Sequence, residues 1–287
     1  MNIIEKIYYR SSFLNKLYTN SIFSKPMRGM KRVCIFVIHK SRMVLQHIRT
    51  IPRAMGFRDK NFQPLKDLEE KFSGKRCFIL CTGPSLTVSD IELLKDEYTF
   101  GMNSLCLLLE QTTWRPDFFA VQDENVYEKV KEYMLTMKNS KVFVPDGLDR
   151  NAPAEWIKFP LCGAYHKYEL IYDTRYFARF SDKCYVRVYD GYSITYSLIQ
   201  LAVFMGFKEI YLLGADCNYL GEKQHIIEHG HIDPGFAKAP ERMFASYKEA
   251  KRYMDNHDVK IYNATRGGML EIFPRVSLEN VLSVSGE

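Results

Sequence analysis

The chain is expected to fold as an α/β protein in which a mainly parallel sheet carries helices on both faces. Three observations predict this. From residue 75 onward, short apolar runs alternate with helix-patterned segments. The strongest runs, Cys77-Phe78-Ile79-Leu80 and Ile210-Tyr211-Leu212-Leu213, are continuously apolar, as strands buried on both faces are. With 287 residues, 46% of them hydrophobic, the chain has enough apolar surface to bury a sizeable core.

The elements follow in order. Lys75–Cys81 reads as a strand, and Ser89-Asp90-Ile91-Glu92 as a capping box that opens a helix through Leu94. Tyr98–Met102 reads as a second strand, and Phe118–Gln122 as a third after the Pro116 break. Lys141–Val144 is a fourth, stopped by Pro145-Asp146-Gly147, and Tyr185–Val188 is a short strand. A long helix is predicted from Ser193 to Met205, with Gly206 as its stop. Glu209–Leu213 is a strand, Tyr247–Asp255 a helix and Val259–Tyr262 the last strand.

Charge divides the chain differently. Residues 1–60 hold thirteen Lys and Arg against Glu5 and Asp59, a balance of +11 within a total of +6. Bulky apolar residues are interleaved with this charge at helical spacing, which predicts a basic helical extension over 1–64 ahead of a catalytic body over 65–287. Two readings of the extension stand side by side. It packs on the body, or it lies on an anionic membrane surface with its apolar face in the interface. Nucleic acid is not an expected partner, because no binding motif accompanies the charge. The longest apolar run, Val33–Ile38, is far short of a membrane span, and the N-terminus lacks a signal-peptide pattern. Seven scattered cysteines, several in apolar runs, fit a reducing compartment. The expected location is cytoplasmic, peripheral on the inner face of the membrane.

In open parallel sheets, ligands bind beyond the carboxyl ends of the strands. Here those ends carry Thr82-Gly83-Pro84-Ser85, Asn103-Ser104, Asp123-Glu124-Asn125, Gly214-Ala215-Asp216 and Asn263-Ala264-Thr265. Gly83 permits close backbone approach, Pro84 fixes the turn, and the amides near Ser85 and Leu86 are expected to face an anion. The same stretch equally reads as an ordinary strand-to-helix turn. It is neither a Walker loop nor the Gly-x-Gly-x-x-Gly dinucleotide fingerprint. Ser193 and Thr195 begin the long helix, as caps or as donors to a bound group. His225, His229 and His231 cluster after Asp216; a general base is the functional reading and a solvated loop the plain one. No metal is expected there, since the histidines have no matching cysteine and the chain has no Asp-x-Asp.

Several segments carry a resemblance: "CTGPSL", "FGMNSL", "RPDFFAVQDE", "DGYSITYSLIQLAVFMGFKEIYLLGADCNY" and "VKIYNATRGGMLEIFPRV". They resemble the family of 6-hydroxymethylpterin diphosphokinase MptE-like proteins, and the same skeleton is similar to the bacterial sialyltransferases of glycosyltransferase family 42. The resemblance spans roughly residues 75–280 and leaves the basic head aside. It implies a Rossmann-like, GT-A-like variant fold that binds a nucleotide-activated donor. It also implies that Gly83, Pro84, Ser85 and Asn103 contact the CMP part of a CMP-sugar, with Asp123, Ser193, Thr195 and Asp216 in the same substrate site. By that likeness His231 is the preferred base, with His225 and His229 as alternates and Tyr219 as the phosphate partner. The expected reaction is metal-independent, inverting transfer of a sialic-acid-like sugar from CMP to a glycan or lipid-linked acceptor, with no cofactor. The alternative is pyrophosphate transfer from ATP to a pterin-type alcohol, with Mg²⁺ on carboxylates such as Asp123 and Asp216. A non-catalytic nucleotide- or membrane-binding protein is the third reading.

Overall fold

The structure is a computed structural model and describes residues 21–163, 176–218, 225–227 and 238–283. The chain forms two compact units. Of the smaller, the described part is residues 21–49 of helix α1 (Ser21–Ala54). The larger runs through Thr50–Gly163 and Tyr176–Glu287 and holds the sheet. By compactness the larger unit begins at Thr50, ahead of the boundary expected at 64/65. Phe62 and Leu65 explain why, since both are buried in the core beneath the sheet.

Seven strands form that sheet: β1 (Arg76–Leu80), β2 (Thr99–Met102), β3 (Phe118–Ala120), β4 (Lys141–Pro145), β5 (Ile157–Phe159), β8 (Glu209–Leu213) and β9 (Lys260–Asn263). Their spatial order is β5-β4-β3-β2-β1-β8-β9, and every pairing is parallel. Two short strands, β6 (Leu161–Cys162) and β7 (Val188–Tyr189), pair separately. β1 sits between β2 and β8, with Phe78 opposite Thr99 on one side and Tyr211 on the other.

The pleat sorts β1 between two cores. Cys77 and Ile79 face one, with Ile210 and Leu212; Phe78 and Leu80 face the other, with Tyr211 and Leu213. A one-residue slip would exchange the two sets, so the register is strongly specified. Helix α5 (Ile194–Phe204) lies in the first core, and all eleven of its residues are buried. That is the pattern of a helix enclosed by protein rather than one with a wet face. Its end matches the expected stop, with Gly206 at φ +97°. The second core takes α3 (Val88–Glu92), α4 (Glu124–Met134) and α7 (Leu278–Ser283), numbered after the short α2 (Gln63–Lys66).

Three expectations need correction. The first sheet helix is capped by Thr87, not Ser89: the Thr87 hydroxyl accepts from the Asp90 amide at 3.1 Å, and Asp90 accepts from the Thr87 amide at 3.1 Å. Helix α6 (Ala239–Met254) starts eight residues before Tyr247, with a proline in its first turn, where a missing N–H costs nothing. The strand expected at Tyr185–Val188 forms at Val188–Tyr189, because 183–187 make a turn in which the Val186 and Arg187 amides donate to the Lys183 carbonyl.

Glu92 was the acid of the expected box, and it has other partners. Its carboxylate accepts from the hydroxyls of Thr112 and Thr113 and from the Thr113 amide at 2.9 Å. These bonds, the Thr112 hydroxyl first, hold the Glu92 carboxyl below its ordinary value of 4.5. A depressed folded-state value contributes stability above that ordinary value, and the contribution is lost as pH falls through the folded value. Glu92→Gln is therefore expected to flatten the loss of melting temperature between about pH 5 and pH 3. Thermal melts across that range measure it; identical pH curves for the two proteins would refute it.

Candidate active site

From β1 the chain steps outward through β2, β3, β4 and β5, then returns to the opposite side of β1 with β8. The strand order thus reverses at β1, and the carboxyl end of that strand is the place where open parallel sheets bind ligands. The loops after β1 and β8 are joined there. The Cys81 amide donates to the Leu213 carbonyl at 2.8 Å and the Gly83 amide to the Gly214 carbonyl at 2.9 Å. A Cβ on Gly83 would lie 2.0 Å from Asp216 Oδ2 and 2.3 Å from the Gly214 oxygen, so only glycine fits.

Asp216 is the hub. Its Oδ2 accepts from the Ser85 hydroxyl at 2.7 Å and from the Ser85 amide at 3.4 Å. Its carbonyl accepts from the Met269 amide at 2.7 Å, and the neighbouring Ala215 amide donates to Thr265 Oγ1 at 2.9 Å. Loops after β1, β8 and β9 thereby converge on the buried residue Asp216 and its neighbour Ala215, with the β1 loop alone reaching the carboxylate. This alters the expected anion cradle. The Ser85 amide is directed at Asp216, and the Leu86 amide donates to the Gly83 carbonyl at 3.2 Å. The anion that Ser85 meets is the protein's own.

Across the β1–β2 side lies a second convergence. The Ile226 amide donates to the Thr82 carbonyl at 2.8 Å, and Ser104 Oγ donates to the Ile227 carbonyl at 3.1 Å. Residues 225–227 therefore bridge the loops that follow β1 and β2. His225 is buried, with its Nδ1 3.1 Å from Thr82 Oγ1. Beside it Asn103 adopts φ +50°, and its buried side-chain oxygen has no partner among the described residues. Three of the four described non-glycine residues with positive φ, Asn103, Tyr192 and Cys217, lie in the loops after β2, β7 and β8. Backbone strain of this kind collects at ligand sites.

The remaining residues divide. Thr195 is buried under the β1 end, with its hydroxyl 3.4 Å from Cys81 Sγ and 3.5 Å from Met102 Sδ. Ser193 caps α5, accepting from the Thr195 amide at 3.2 Å. Pro84 lies in the joined loop. Asp123 is exposed and caps α4, accepting from the Asn125 amide at 2.9 Å and the Val126 amide at 3.0 Å. It sits three strand positions from Asp216, or about 14 Å at the ordinary spacing. Two aspartates that far apart cannot ligate one ion, so the expected Mg²⁺ pair does not fit. Tyr219, His229 and His231 lie outside the described residues.

Several partners escaped the sequence reading. Thr82, which orients His225, stood in the quoted turn without a role. Gln122 accepts from Ser197 Oγ at 2.7 Å and donates to Asp190 Oδ1 at 3.3 Å, tying the β3 end to the start of α5. Arg266 donates to both carboxylate oxygens of Asp90 at 2.6 Å and to Glu279 at 2.7 Å. Only long-range contact reveals such pairs. Burial disfavours the thiolate at the nearby cysteines: it pushes Cys81 up to about 12, against a smaller opposing effect of Thr195, and raises Cys217 too.

The family described as 6-hydroxymethylpterin diphosphokinase MptE-like matches residues 56–222, more than half of the sequence. The chain belongs to this family. No curated protein matches the MptE-like chain. Among solved structures it is similar to the MAf glycosyltransferase from Magnetospirillum magneticum AMB-1, at 15% identity and a TM-score of 0.49. That alignment covers 76% of the MptE-like chain and 37% of the other. The family match takes in β1 through β8 and Asp216, and stops short of His225.

Proposed function

We propose that the protein is a glycosyltransferase that binds a CMP-activated, sialic-acid-like sugar at the β1–β2 side of the sheet edge. The observation that carries the reading is Asn103. A positive-φ backbone and a buried, unpartnered acceptor in the loop after β2, one strand from the reversal of strand order, call for a ligand that brings a donor. A ribose hydroxyl or a base amino group has that chemistry. The likeness to family 42 sialyltransferases, in which the corresponding Asn contacts CMP, supports the nucleotide assignment.

His225, the described member of the histidine cluster, is the general base in this reading; His231 and His229 lie outside the described residues. Thr82 Oγ1 lies 3.1 Å from the His225 Nδ1 and orients the ring, and in this reading the imidazole takes the proton of the acceptor hydroxyl. The acceptor, a glycan or lipid-linked alcohol, loses its proton to the imidazole as its oxygen bonds to the anomeric carbon. The bond from that carbon to the CMP phosphate breaks, and CMP leaves. The Ser85 and Leu86 amides take no part, since both have partners within the protein.

Pyrophosphate transfer from ATP, which the family description names, remains the competing reading. The separation of Asp123 from Asp216 disfavours the metal pair it would use. Assays with a CMP-sialic-type donor and a panel of glycan and lipid-linked acceptors decide between them. Acceptor-dependent CMP release is expected; magnesium-dependent AMP formation from ATP, or no affinity for any cytidine nucleotide, would overturn the proposal.

Asn103→Gly isolates the carrying observation. Glycine accepts φ +50° without strain and removes the acceptor, so folding should be preserved. The donor KM is expected to rise about tenfold, as for loss of one buried hydrogen bond. Initial-rate kinetics with varied donor give the value, and an unchanged KM would exclude Asn103 from the donor site.

A further inference from the structure

Ser104 follows Asn103 directly, and the two consecutive side chains have different partners. The Asn103 oxygen has none among the described residues, whereas Ser104 is fully buried and bonded within the protein. Its hydroxyl donates to the Ile227 carbonyl at 3.1 Å, across 123 residues of sequence. A hydroxyl sealed from water needs an acceptor, and the one Ser104 finds belongs to the segment that carries His225.

That segment has a second anchor. The Ile226 amide donates to the Thr82 carbonyl at 2.8 Å, while Thr82 Oγ1 lies 3.1 Å from His225 Nδ1. Ile226 and Ile227, both half-buried, pack against the core that holds Phe78 and Leu80. Residues 225–227 belong to no helix or strand, so these contacts fix their backbone in place of a ladder. Thr82 and Ser104 lie within the family-matched span, and the histidine they hold lies beyond it.

We propose that Ser104 is a positioning residue for His225. It acts through the Ile227 carbonyl. With that carbonyl held to the loop after β2 and the Ile226 amide held to the loop after β1, the backbone beside the histidine is pinned at two points. The imidazole is thereby tied to both loops that border the proposed donor site. A base must stay within hydrogen-bond reach of the proton it takes, and a displacement of about 1 Å is enough to cost rate. The catalytic consequence rests on the reading of His225 as the base; the anchoring does not.

Hydrogen exchange and kinetics on the full chain test the two parts separately. In Ser104→Ala the Ile226 amide should exchange about tenfold faster, as for loss of one buried hydrogen bond, and the His225 ring-nitrogen resonances should shift. The Cys81 amide, bonded to the Leu213 carbonyl, should keep its rate and so report that the sheet edge is intact. Ser104→Cys, similar in shape with a weaker donor, should give an intermediate rate at Ile226. For CMP release, Ser104→Ala is expected to lower kcat about tenfold with the donor KM little changed. In a His225→Ala background the same substitution should cost nothing further, because the ring it positions is gone. A merely structural role predicts equal losses in both backgrounds. Unchanged exchange at Ile226 in Ser104→Ala, unmoved His225 resonances, or multiplied losses in the double variant would overturn the proposal. Absence of CMP release from the native protein would count against the enzymatic reading alone; faster exchange and shifted resonances would still assign Ser104 to the placement of His225.

Discussion

Gly83→Ala is expected to destabilise the protein by about 3 kcal/mol or more, the upper range for forcing atoms into a packed interior. The added methyl would sit 2.3 Å from the Gly214 carbonyl oxygen and 2.0 Å from Asp216 Oδ2. A flexible side chain could yield, but the carbonyl belongs to the loop that the Gly83 amide itself holds at 2.9 Å. Relief therefore requires the β1 and β8 loops to part, which would also break the Ser85–Asp216 contact. Gly147→Ala is the control. Unlike Gly83 it has positive φ, +87°, but nothing lies within 4 Å of its new methyl group. Its cost should be the backbone strain alone, about 1–2 kcal/mol. Urea denaturation of the two variants reads the difference directly, and equal midpoints would mean that the close approach at Gly83 costs no more than the backbone strain at Gly147.

The largest effect on turnover is expected at His225. Removing a positioned general base costs about 10²- to 10⁴-fold in rate. His225→Ala should reduce kcat by that amount while the donor KM changes little, since the imidazole acts on the acceptor. Thr82→Val keeps the ring but removes the hydroxyl 3.1 Å from its Nδ1, so a smaller loss, about tenfold, and a displaced pH–rate profile are expected. Initial rates of CMP release measure both. A fully active His225→Ala protein would remove the base from this position.

Much of the sheet could be read along the chain. β8 is found residue for residue at Glu209–Leu213, because a strand buried on both faces needs an unbroken apolar run. β5 and β6 escaped because they are three and two residues long and Lys158 and Pro160 interrupt their apolar residues, whereas the equally short β3 lies in the apolar run Phe118–Val121. The cap of α3 shows a different difficulty. Thr87 with Asp90, and Ser89 with Glu92, both have capping-box spacing, and what decides between them is remote: Glu92 is engaged by Thr112 and Thr113. The site divides along the same line. That Gly83 admits close approach follows from its having no side chain; that Asp216 is what approaches depends on a contact 131 residues from Ser85. Likewise Asp123 stood at a strand end with a plausible ligand chemistry, and the helix that follows claims its side chain as a cap.

The carboxylate lodged against Ser85 has a consequence for how the edge receives a ligand. A turn that holds its own counter-anion is already in its final shape when empty, so no ordering cost falls on an incoming molecule at that wall. Such a wall is also selective, since a phosphate pressed toward Asp216 would meet like charge before it met a donor. Anionic parts of a ligand are thereby steered away from the seam between β1 and β8. The turn serves as a fixed fence that sets which end of a charged molecule enters first.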